Sequence, residues 1–373
     1  MSSDIKLWAG DGNFLNWPRT NHQAFSPRRI EFLTDLSKEL LAGDYRPELK
    51  ALGFWLRKTQ LVKWKKQNRN ENLALRAPVG RVFIVSPSNV EGLFAYNWAL
   101  SYLMGNQTVV RLSERISDDQ KAFFYLLSRI NDRTSGLSSQ AFISYDRNSD
   151  WTEKLSNWCQ LRILWGSNET IESIRQIPLH AQAEEWVFPD RYSVAVLRIT
   201  QADRMNVPRL AQDFARDIGT FHQQACASPK WVIWHETEQS LQDYFWQAVD
   251  SYLNDTFMPN EVIVSSQYLC SLGAKLIHQG NLAVVECKKI IGRSQTLIGI
   301  VGQTSLNRLS DCMTLLPTEL QSVACYGLSI EDKVKLTSIS NVRQFSILGQ
   351  SLDFNLIWDG TNILRLLSRE VRL

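Results

Sequence analysis

Apolar residues recur at helical spacing near the start of the chain. They follow Ser26-Pro27, a helix-start signal, and a second helical pattern occupies residues 47–64. The residues that set the first pattern are Ile30, Leu33, Leu36, Leu40 and Leu41. The sequence therefore predicts that residues 1–75 form an N-terminal helical segment, which packs on the domain that follows.

The pattern changes at Ala77-Pro78 into short apolar runs that alternate with helical stretches. Residues 80–85 form the first run, Ser86-Pro87 ends it, and an apolar helix to Met104 leads into a second run. Strands are thus predicted at 80–85, 108–112, 140–144 and 161–165, and further helices at 118–130, 151–159 and 169–176. Such alternation indicates an α/β fold whose parallel sheet is covered on both faces.

The second half of the chain has the same texture. Helices are predicted at 208–223 and 241–253, and strands at 231–234, 282–286 and 297–301. The predicted division is a first α/β domain at 76–205, a second at 206–345 and a C-terminal segment at 346–373. Ligands of parallel sheets bind beyond the carboxyl ends of the strands, where Asn89, Arg111 and Gly166-Ser167 fall.

Composition narrows the class of protein. Of the 373 residues, 44% are hydrophobic and 21% are charged, which is typical of a globular protein rather than a disordered one. The net charge of +3 gives no electrostatic reason to expect a nucleic-acid partner. The longest uncharged stretch, residues 92–110, contains Asn97, Asn106 and Gln107, so no membrane span is expected.

The cysteines bear on metal binding and on compartment. They form no CxxC pair and have no regular spacing with the histidines, so neither a metal site nor a disulfide framework is expected. No secretory signal is visible at the N-terminus, and reduced thiols then indicate a cytoplasmic protein.

Cys226 is the candidate nucleophile. It lies between the polar Gln223-Gln224 and the apolar run 231–234, far from the other cysteines. A nucleophilic cysteine needs a site that favours its thiolate or excludes water. Burial as a small apolar residue is the alternative role. A hydrolase pair with His222 or His235 is disfavoured, because no motif supplies a third group to orient the histidine.

Several motifs occur in order along residues 54–360. A first set covers residues 77–80, 86–89 and 105–114. The other motifs are Phe54-Trp55-Leu56-Arg57-Lys58, Gln223-Gln224-Ala225-Cys226-Ala227-Ser228-Pro229, Gly349-Gln350-Ser351-Leu352-Asp353-Phe354 and Trp358-Asp359-Gly360. The first set resembles the cofactor domain of the aldehyde dehydrogenase superfamily. The others resemble its acyl-CoA reductase branch (LuxC type), which includes the fatty acyl reductase of bacterial bioluminescence.

The resemblance implies an aldehyde dehydrogenase-like fold, with two α/β domains, mostly parallel sheets and an active-site crevice between the domains. It implies an enzyme that reduces an acyl thioester to an aldehyde with NADPH, or with NADH as the alternative. Cys226 would carry the acyl group, and Asn89 together with the Cys226 backbone N–H would stabilise the oxyanion. The alternative for Asn89 is a turn residue that caps a helix.

The resemblance also assigns cofactor contacts to Ser86, Arg111, Glu114, Gly166 and Ser167. Arg111 favours the 2′-phosphate of NADPH, whereas Glu114 would repel that phosphate and accept from ribose hydroxyls, so the preference stays open. Gly166-Ser167 resembles the turn where the pyrophosphate meets a helix N-terminus. A plain N-cap explains Ser167 equally well.

One departure from the superfamily bears on the reaction. The glutamate that activates water in hydrolytic members aligns with Val187, and an acyl-enzyme without that base would last long enough to be reduced. Glu184 and Glu185 lie nearby, and a shifted register would restore a base.

Two other functions stay open at this point. One is a cysteine acyltransferase or thioesterase that transfers no hydride, and the other is a nucleotide-binding scaffold that has lost turnover. For the reductase, the resemblance implies that the acyl group comes from acyl-CoA or from a partner acyl-activating synthetase. It also implies a homodimer.

Overall fold

The fold is described from a computed structural model, which covers residues 5–19, 22–70, 75–87, 92–287, 297–316, 319–353 and 355–371. The chain divides into two compact units. Unit 1 comprises Met1–Pro189 and Thr361–Leu373, and unit 2 comprises Asp190–Gly360. The predicted domain boundary near residue 205 falls within unit 2, in the 3₁₀ turn Gln201–Asn206.

Strands and helices alternate through most of the chain. The strands are β1 (Lys6–Gly10), β2 (Leu75–Pro78), β3 (Arg81–Val85), β4 (Gln107–Arg111), β5 (Gln140–Ser144), β6 (Leu161–Trp165), β7 (Glu184–Phe188), β8 (Tyr192–Leu197), β9 (Trp231–His235), β10 (Lys275–Gln279), β11 (Ala283–Glu286), β12 (Ile300–Leu306), β13 (Leu320–Tyr326), β14 (Gln344–Ile347), β15 (Ile357–Trp358), β16 (Thr361–Asn362) and β17 (Ser368–Val371). The helices are α1 (Pro27–Ala42), α2 (Pro47–Trp55), α3 (Lys58–Asn70), α4 (Leu93–Leu103), α5 (Asp118–Thr134), α6 (Trp151–Trp158), α7 (Asn168–Arg175), α8 (Val207–Gly219), α9 (Gln239–Tyr252), α10 (Pro259–Ser271), α11 (Ile330–Ile339) and α12 (Ile363–Leu366).

Unit 1 contains a six-stranded sheet in the order β1-β5-β4-β3-β6-β7. Its neighbours pair in parallel except β1, which runs antiparallel to β5. Every residue of α4 is buried, because the helix is apolar around nearly its whole circumference. Helix α5 instead buries one face and begins at a capping box formed by Ser117 and Gln120.

Unit 1 is completed by a second, two-stranded pairing. Strand β2 pairs antiparallel with β17, so that Leu75 faces Val371 and Pro78 faces Ser368. The side chain of Asn106 links the two ends of the unit, since its Nδ2 donates to the Leu367 carbonyl and its Oδ1 accepts from the Gly80 N–H. The last residues of the chain therefore belong to the first unit.

Unit 2 contains a seven-stranded sheet in the order β10-β11-β12-β9-β8-β13-β14. All its pairs are parallel except β10 with β11. The central strands β8 and β9 are fully buried, and α8 and α9 pack an aromatic cluster of Phe214, Trp234, Phe245 and Trp246 in the core. Strands that are buried on both faces read as continuous apolar runs, as these do.

Two element predictions in unit 2 were wrong in their bounds. The helix expected at 208–223 ends at Gly219, because the next residues leave helical geometry. The strand expected at 297–301 begins only at Ile300 and continues to Leu306. The helical pattern at 47–64 in unit 1 is likewise divided, into α2 and α3, at Leu56.

None of the helices in the described ranges combines the length and the apolar character that a bilayer span requires.

Candidate active site

Residues proposed from the sequence for cofactor binding meet at the carboxyl edge of the unit 1 sheet. Strand β4 lies on one side of β3 and β6 on the other, so the strand order reverses between β3 and β6. Ser86 follows β3 and Gly166 follows β6, directly at this reversal. Ligands of open parallel sheets bind at such a switch point.

Two polar atoms at this edge are buried without a partner. Ser86 and Arg111 are neighbours, since the Ser86 N–H donates to the Arg111 carbonyl at 3.0 Å. The Ser86 hydroxyl and the Arg111 Nε are both buried, and neither makes a hydrogen bond to any residue that the structure describes. Buried polar groups are normally paired, so this edge fits a ligand that brings acceptor oxygens. A phosphorylated dinucleotide meets that requirement.

The other cofactor candidates differ in their settings. Ser167 caps α7, where its hydroxyl accepts from the Thr170 N–H at 3.3 Å, and the Gly166 N–H donates to the Phe188 carbonyl. Glu114 lies exposed beyond the end of β4. Asn89 lies outside the described residues.

Position 187 is a valine and so carries no carboxylate, and the nearby Glu185 is already engaged in ion pairs. Val187 packs at the edge of an apolar cluster of unit 1. The Glu185 carboxylate pairs with Arg162 at 2.5 Å and with Arg175 at 3.0 Å. Glu185 is thus held by two guanidinium groups within its own unit, and Glu184 beside it is exposed.

Cys226 lies at the amino-terminal edge of the unit 2 sheet. It sits in the turn between α8 and β9, and Ser193 at the start of β8 anchors this turn by donating to the Cys226 carbonyl at 2.7 Å. The Ser193 carbonyl in turn accepts from the Lys230 N–H at 2.9 Å. Ser193 of β8 is therefore hydrogen-bonded to both ends of the segment from Cys226 to Lys230, which we call the cysteine turn.

The backbone immediately before Cys226 is left-handed. Phe221, His222 and Gln223 have φ angles of 59°, 49° and 59°. Such geometry costs an L-residue roughly 1–2 kcal/mol, so the fold must enforce it. The Gln223 amide does so through bonds to the Gly299 N–H at 3.0 Å and to the Ile300 carbonyl at 2.9 Å.

Three polar side chains that contact one another in series lie near the thiol of Cys226. The Gln321 Nε2 donates to Asp359 Oδ1 at 2.7 Å, and Arg191 Nε lies 3.4 Å from Asp359 Oδ2. Gln321 and Asp359 are both more than nine-tenths buried. Asp359 belongs to the Trp358-Asp359-Gly360 motif, and the left-handed turn at Asp359 and Gly360 directs the chain back.

Lys230 is a charged residue at the end of the turn that carries Cys226. It is 8% exposed, and its Nζ donates to the Gln223 carbonyl. Burial lowers the pKa of Lys230 to about 7, while the negative charge of a Cys226 thiolate acts in the opposite direction. The side chain can therefore exchange a proton near neutral pH.

The thiol itself is strongly disfavoured as a thiolate. Burial, and secondly the negative charge of Asp359, raise the pKa of Cys226 to about 12. The Gln321 amide and the backbone N–H groups of Cys226 and Ala227 act in the opposite direction, through hydrogen bonds. Reaction at neutral pH therefore requires a nearby proton acceptor.

Neither histidine near Cys226 in sequence serves as that acceptor. His222 is exposed and its Nδ1 pairs with the Thr256 carbonyl at 3.0 Å. His235 ends β9, at the opposite edge of the sheet from Cys226. A Cys–His hydrolase site is thus not formed in the described part of unit 2.

Sequence reasoning missed Gln321 and Lys230, and it gave Asp359 no role beside the cysteine although it named the Trp358-Asp359-Gly360 motif. Gln321 and Asp359 lie 95 and 133 positions after Cys226, and no local pattern connects them with it. Lys230 carried a usable signal, because it is a charged residue that directly precedes the apolar run 231–234.

Comparison with solved structures defines the fold. The chain matches a NAD-dependent aldehyde dehydrogenase from Sinorhizobium meliloti with a TM-score of 0.69 and 12% identity, covering 92% of this chain and 81% of that one. An oxidoreductase from Marinobacter aquaeolei matches with a TM-score of 0.71 and 10% identity, covering 97% and 88%. Indole-3-acetaldehyde dehydrogenase from P. syringae, in complex with NAD+ and IAA, matches with a TM-score of 0.67 and 11% identity, covering 92% and 82%. The protein therefore has the aldehyde dehydrogenase fold, as predicted.

A family model is more specific. The model for acyl-CoA reductase (LuxC) matches residues 53–264, which is more than half of the chain and includes Cys226. The chain belongs to the acyl-CoA reductase (LuxC) family, and the predicted family is confirmed. It is therefore an oxidoreductase of the aldehyde-forming or a related kind. None of the curated proteins matches the chain.

Proposed function

We propose that the protein reduces an acyl thioester to an aldehyde through an acyl-enzyme on Cys226. The observation that carries this proposal is the setting of Cys226 within a family of acyl-CoA reductases: a half-buried thiol beside a buried lysine whose pKa is about 7.

The first step needs a thiolate, and Lys230 is the proposed proton acceptor. The neutral amine takes the Cys226 proton as sulfur attacks the thioester carbonyl carbon. The carbon–sulfur bond to the leaving thiol then breaks, and the lysine ammonium returns the proton to that thiolate. Such acid–base assistance typically contributes ~10²–10⁴ in rate.

The second step reduces the acyl group. A bound nicotinamide would supply the hydride, and Ser86, Arg111 and the Gly166-Ser167 turn would hold its dinucleotide. Hydride addition to the acyl carbon would leave the oxyanion of a thiohemiacetal on Cys226. Its carbon–sulfur bond would then break to release the aldehyde, and a proton from solvent would restore the thiol. Asn89 and the Cys226 backbone N–H are the proposed oxyanion donors, and removing one such donor typically costs ~10²–10³ in rate.

Water must be kept from attacking the acyl-enzyme. Support comes from Val187, which has no carboxylate, and from Glu185, which is occupied by Arg162 and Arg175. The proposed acyl donor is acyl-CoA or an acyl group passed on by a partner synthetase. The homodimer implied by the resemblance stays a prediction.

Two measurements test the proposal. Aldehyde formation from a panel of acyl-CoAs is followed with NADPH or NADH, for the parent and for Cys226→Ala. Cys270→Ala is the matched control, because Cys270 is also a half-buried free thiol of unit 2.

The acyl-enzyme itself is sought by mass spectrometry after mixing with acyl-CoA in the absence of cofactor. An acyl mass on Cys226 that forms aldehyde only when NADPH or NADH is added is the expected result. An adduct that is released as free acid or passed to another thiol, with no aldehyde under either cofactor, would instead indicate a thioesterase or acyltransferase. The absence of both adduct and aldehyde would leave the scaffold function.

A further inference from the structure

A polar cavity lies in unit 1, at the edge of the sheet opposite Ser86 and Arg111. It has a volume of about 270 Å³ and forms where strands begin rather than end. Arg81 starts β3, Gln107 starts β4 and Gln160 immediately precedes β6, and all three line it. This cavity therefore has no part in the site proposed above.

Its lining is basic. Arg19 comes from the N-terminal segment, Arg81 from the sheet and Arg369 from β17, and His180 adds an imidazole. The residues that line the cavity include no aspartate or glutamate. Within the described ranges, none of the three arginines forms an ion pair with a carboxylate.

Arg81 shows that this charge is left uncompensated. One of its guanidinium nitrogens donates to the Trp17 carbonyl at 2.6 Å, but its Nε is buried with no hydrogen-bond partner in the described part of the chain. Its guanidinium lies 5.2 Å from the ring centroid of Trp158. Burial and then the positive charge of Arg19 lower the pKa of Arg81, so the two cations interact unfavourably.

Neutral donors surround the cations. The Nδ1 of His180 accepts from the Gln182 N–H at 3.2 Å, which leaves Nε2 as the protonated nitrogen of the neutral ring. Gly80 also lines the cavity; its φ is 122°, and an added Cβ would lie 3.0 Å from Gln160 Oε1. The cavity thus combines space, several N–H donors and positive charge.

We propose that this cavity binds a multiply charged phosphate group, such as pyrophosphate or the phosphate of a small phosphorylated metabolite. Guanidinium groups match phosphate oxygens in geometry and charge, and three of them suit a dianion or trianion better than a monocarboxylate. Binding would also relieve the repulsion between Arg19 and Arg81.

Calorimetric titration with pyrophosphate tests this site. The titrations use the full chain at constant ionic strength, with acetate and potassium chloride as comparison anions. The variants are Arg19→Gln, Arg369→Gln and the double variant, because both side chains are exposed and their loss should leave the fold intact. Arg129→Gln, at an exposed arginine of α5 away from the cavity, is the control.

The expected result is saturable pyrophosphate binding that weakens by at least tenfold in the double variant and is unchanged in Arg129→Gln. Cys226→Ala should bind as the parent does, so the outcome is independent of the proposed reductase activity. Equal heats from chloride, undiminished binding in the double variant, or equal weakening in Arg129→Gln would overturn the proposal. Titrations with NADP⁺ and CoA, each on the parent and on the double variant, separate a nucleotide source of the phosphate from a free one. A nucleotide that uses the cavity should bind more weakly to the double variant, whereas for a free-phosphate site only pyrophosphate binding should weaken.

Discussion

Gln321 donates a hydrogen bond of 2.7 Å to Asp359, and both side chains are buried beside the thiol of Cys226. This contact brings the Trp358-Asp359-Gly360 motif, far along the chain, into the setting of the cysteine. The carboxylate opposes the thiolate, so the site keeps its sulfur protonated until a proton acceptor is engaged.

Asp359→Asn should make the thiol easier to ionise. The change removes a negative charge that raises the pKa of Cys226, and it leaves Arg191 uncompensated, which acts in the same direction. We expect the pH midpoint for alkylation of Cys226 by iodoacetamide to fall by roughly one unit. Asp353→Asn serves as control, because that carboxylate is exposed and pairs with Arg216. An unchanged midpoint in Asp359→Asn would show that the two groups do not interact.

Lys230→Met should slow acylation of Cys226 by roughly a hundredfold or more at neutral pH, because the thiol loses its proton acceptor. Single-turnover acylation by acyl-CoA, followed by mass spectrometry, measures the loss. Lys275→Met, at an exposed lysine of the same unit, should have no effect.

Lys230→Arg separates a proton acceptor from a fixed charge. An arginine supplies the same positive charge, but it cannot accept a proton at neutral pH because its guanidinium stays protonated. If Lys230 accepts the proton, the acylation rate of the parent should rise with pH through about 7, as the folded pKa of the lysine implies, and the arginine variant should lose that rise. Parent-like pH dependence in Lys230→Arg would refute the role.

Arg111→Gln tests the cofactor preference. If its guanidinium binds the 2′-phosphate, kcat/KM with NADPH should fall roughly 10- to 100-fold, the loss typical of a hydrogen bond to a charged group, while the value with NADH changes little. Arg115→Gln, at an exposed neighbour, is the control. Equal losses with both cofactors would assign Arg111 to a group that the two cofactors share.

Asp217→Asn should change how stability depends on pH. Asp217 accepts from the Gly349 N–H at 2.7 Å and from the Ser351 N–H and hydroxyl at 2.9 Å, so it anchors the Gly349-Gln350-Ser351 motif to α8. Burial raises the pKa of Asp217 to about 6, so the folded state holds its proton more tightly than the unfolded state does. That stabilisation is complete below the ordinary carboxyl pKa and is lost as the pH rises through about 6.

The difference in free energy of unfolding, parent minus Asp217→Asn, should therefore increase by roughly 1 kcal/mol from about pH 7.5 to about pH 5. Urea denaturation at the two pH values measures it. Asp213→Asn, on the same helix, is the control for a general effect of the substitution. A constant difference for Asp217→Asn would mean that its pKa is not raised.

The sequence predicted strands β3 to β6 of the unit 1 sheet, because apolar runs of strand length alternate there with helical spacing. It did not predict the edge strands: β1 lies in the segment expected to be helical, and β7 has few buried residues. Strands β5 and β6 begin and end where the apolar runs do. The helix α8 was overextended because Phe221 continues its apolar pattern, whereas the left-handed turn that follows is imposed by Gln223 and its contacts with Gly299 and Ile300. Such long-range causes leave no local trace.

Some residues of the candidate site could likewise be identified from the sequence, and others could not. Cys226 could be singled out from its own motif, and Ser86, Arg111 and Gly166 from their positions after apolar runs. Gln321 could not, because parallel strand order, rather than nearness in sequence, brings the start of β13 beside the cysteine turn. Asp359 was part of a named motif, but nothing in the sequence placed it beside Cys226.

The pairing of β2 with β17 has a consequence for biosynthesis. A ribosome makes β2 before any of unit 2 and makes β17 after all of it. During translation, the edge of β2 stays open while the whole unit that carries Cys226 is produced and can fold. Unit 1 is thus the first unit whose synthesis begins and the last whose synthesis is completed.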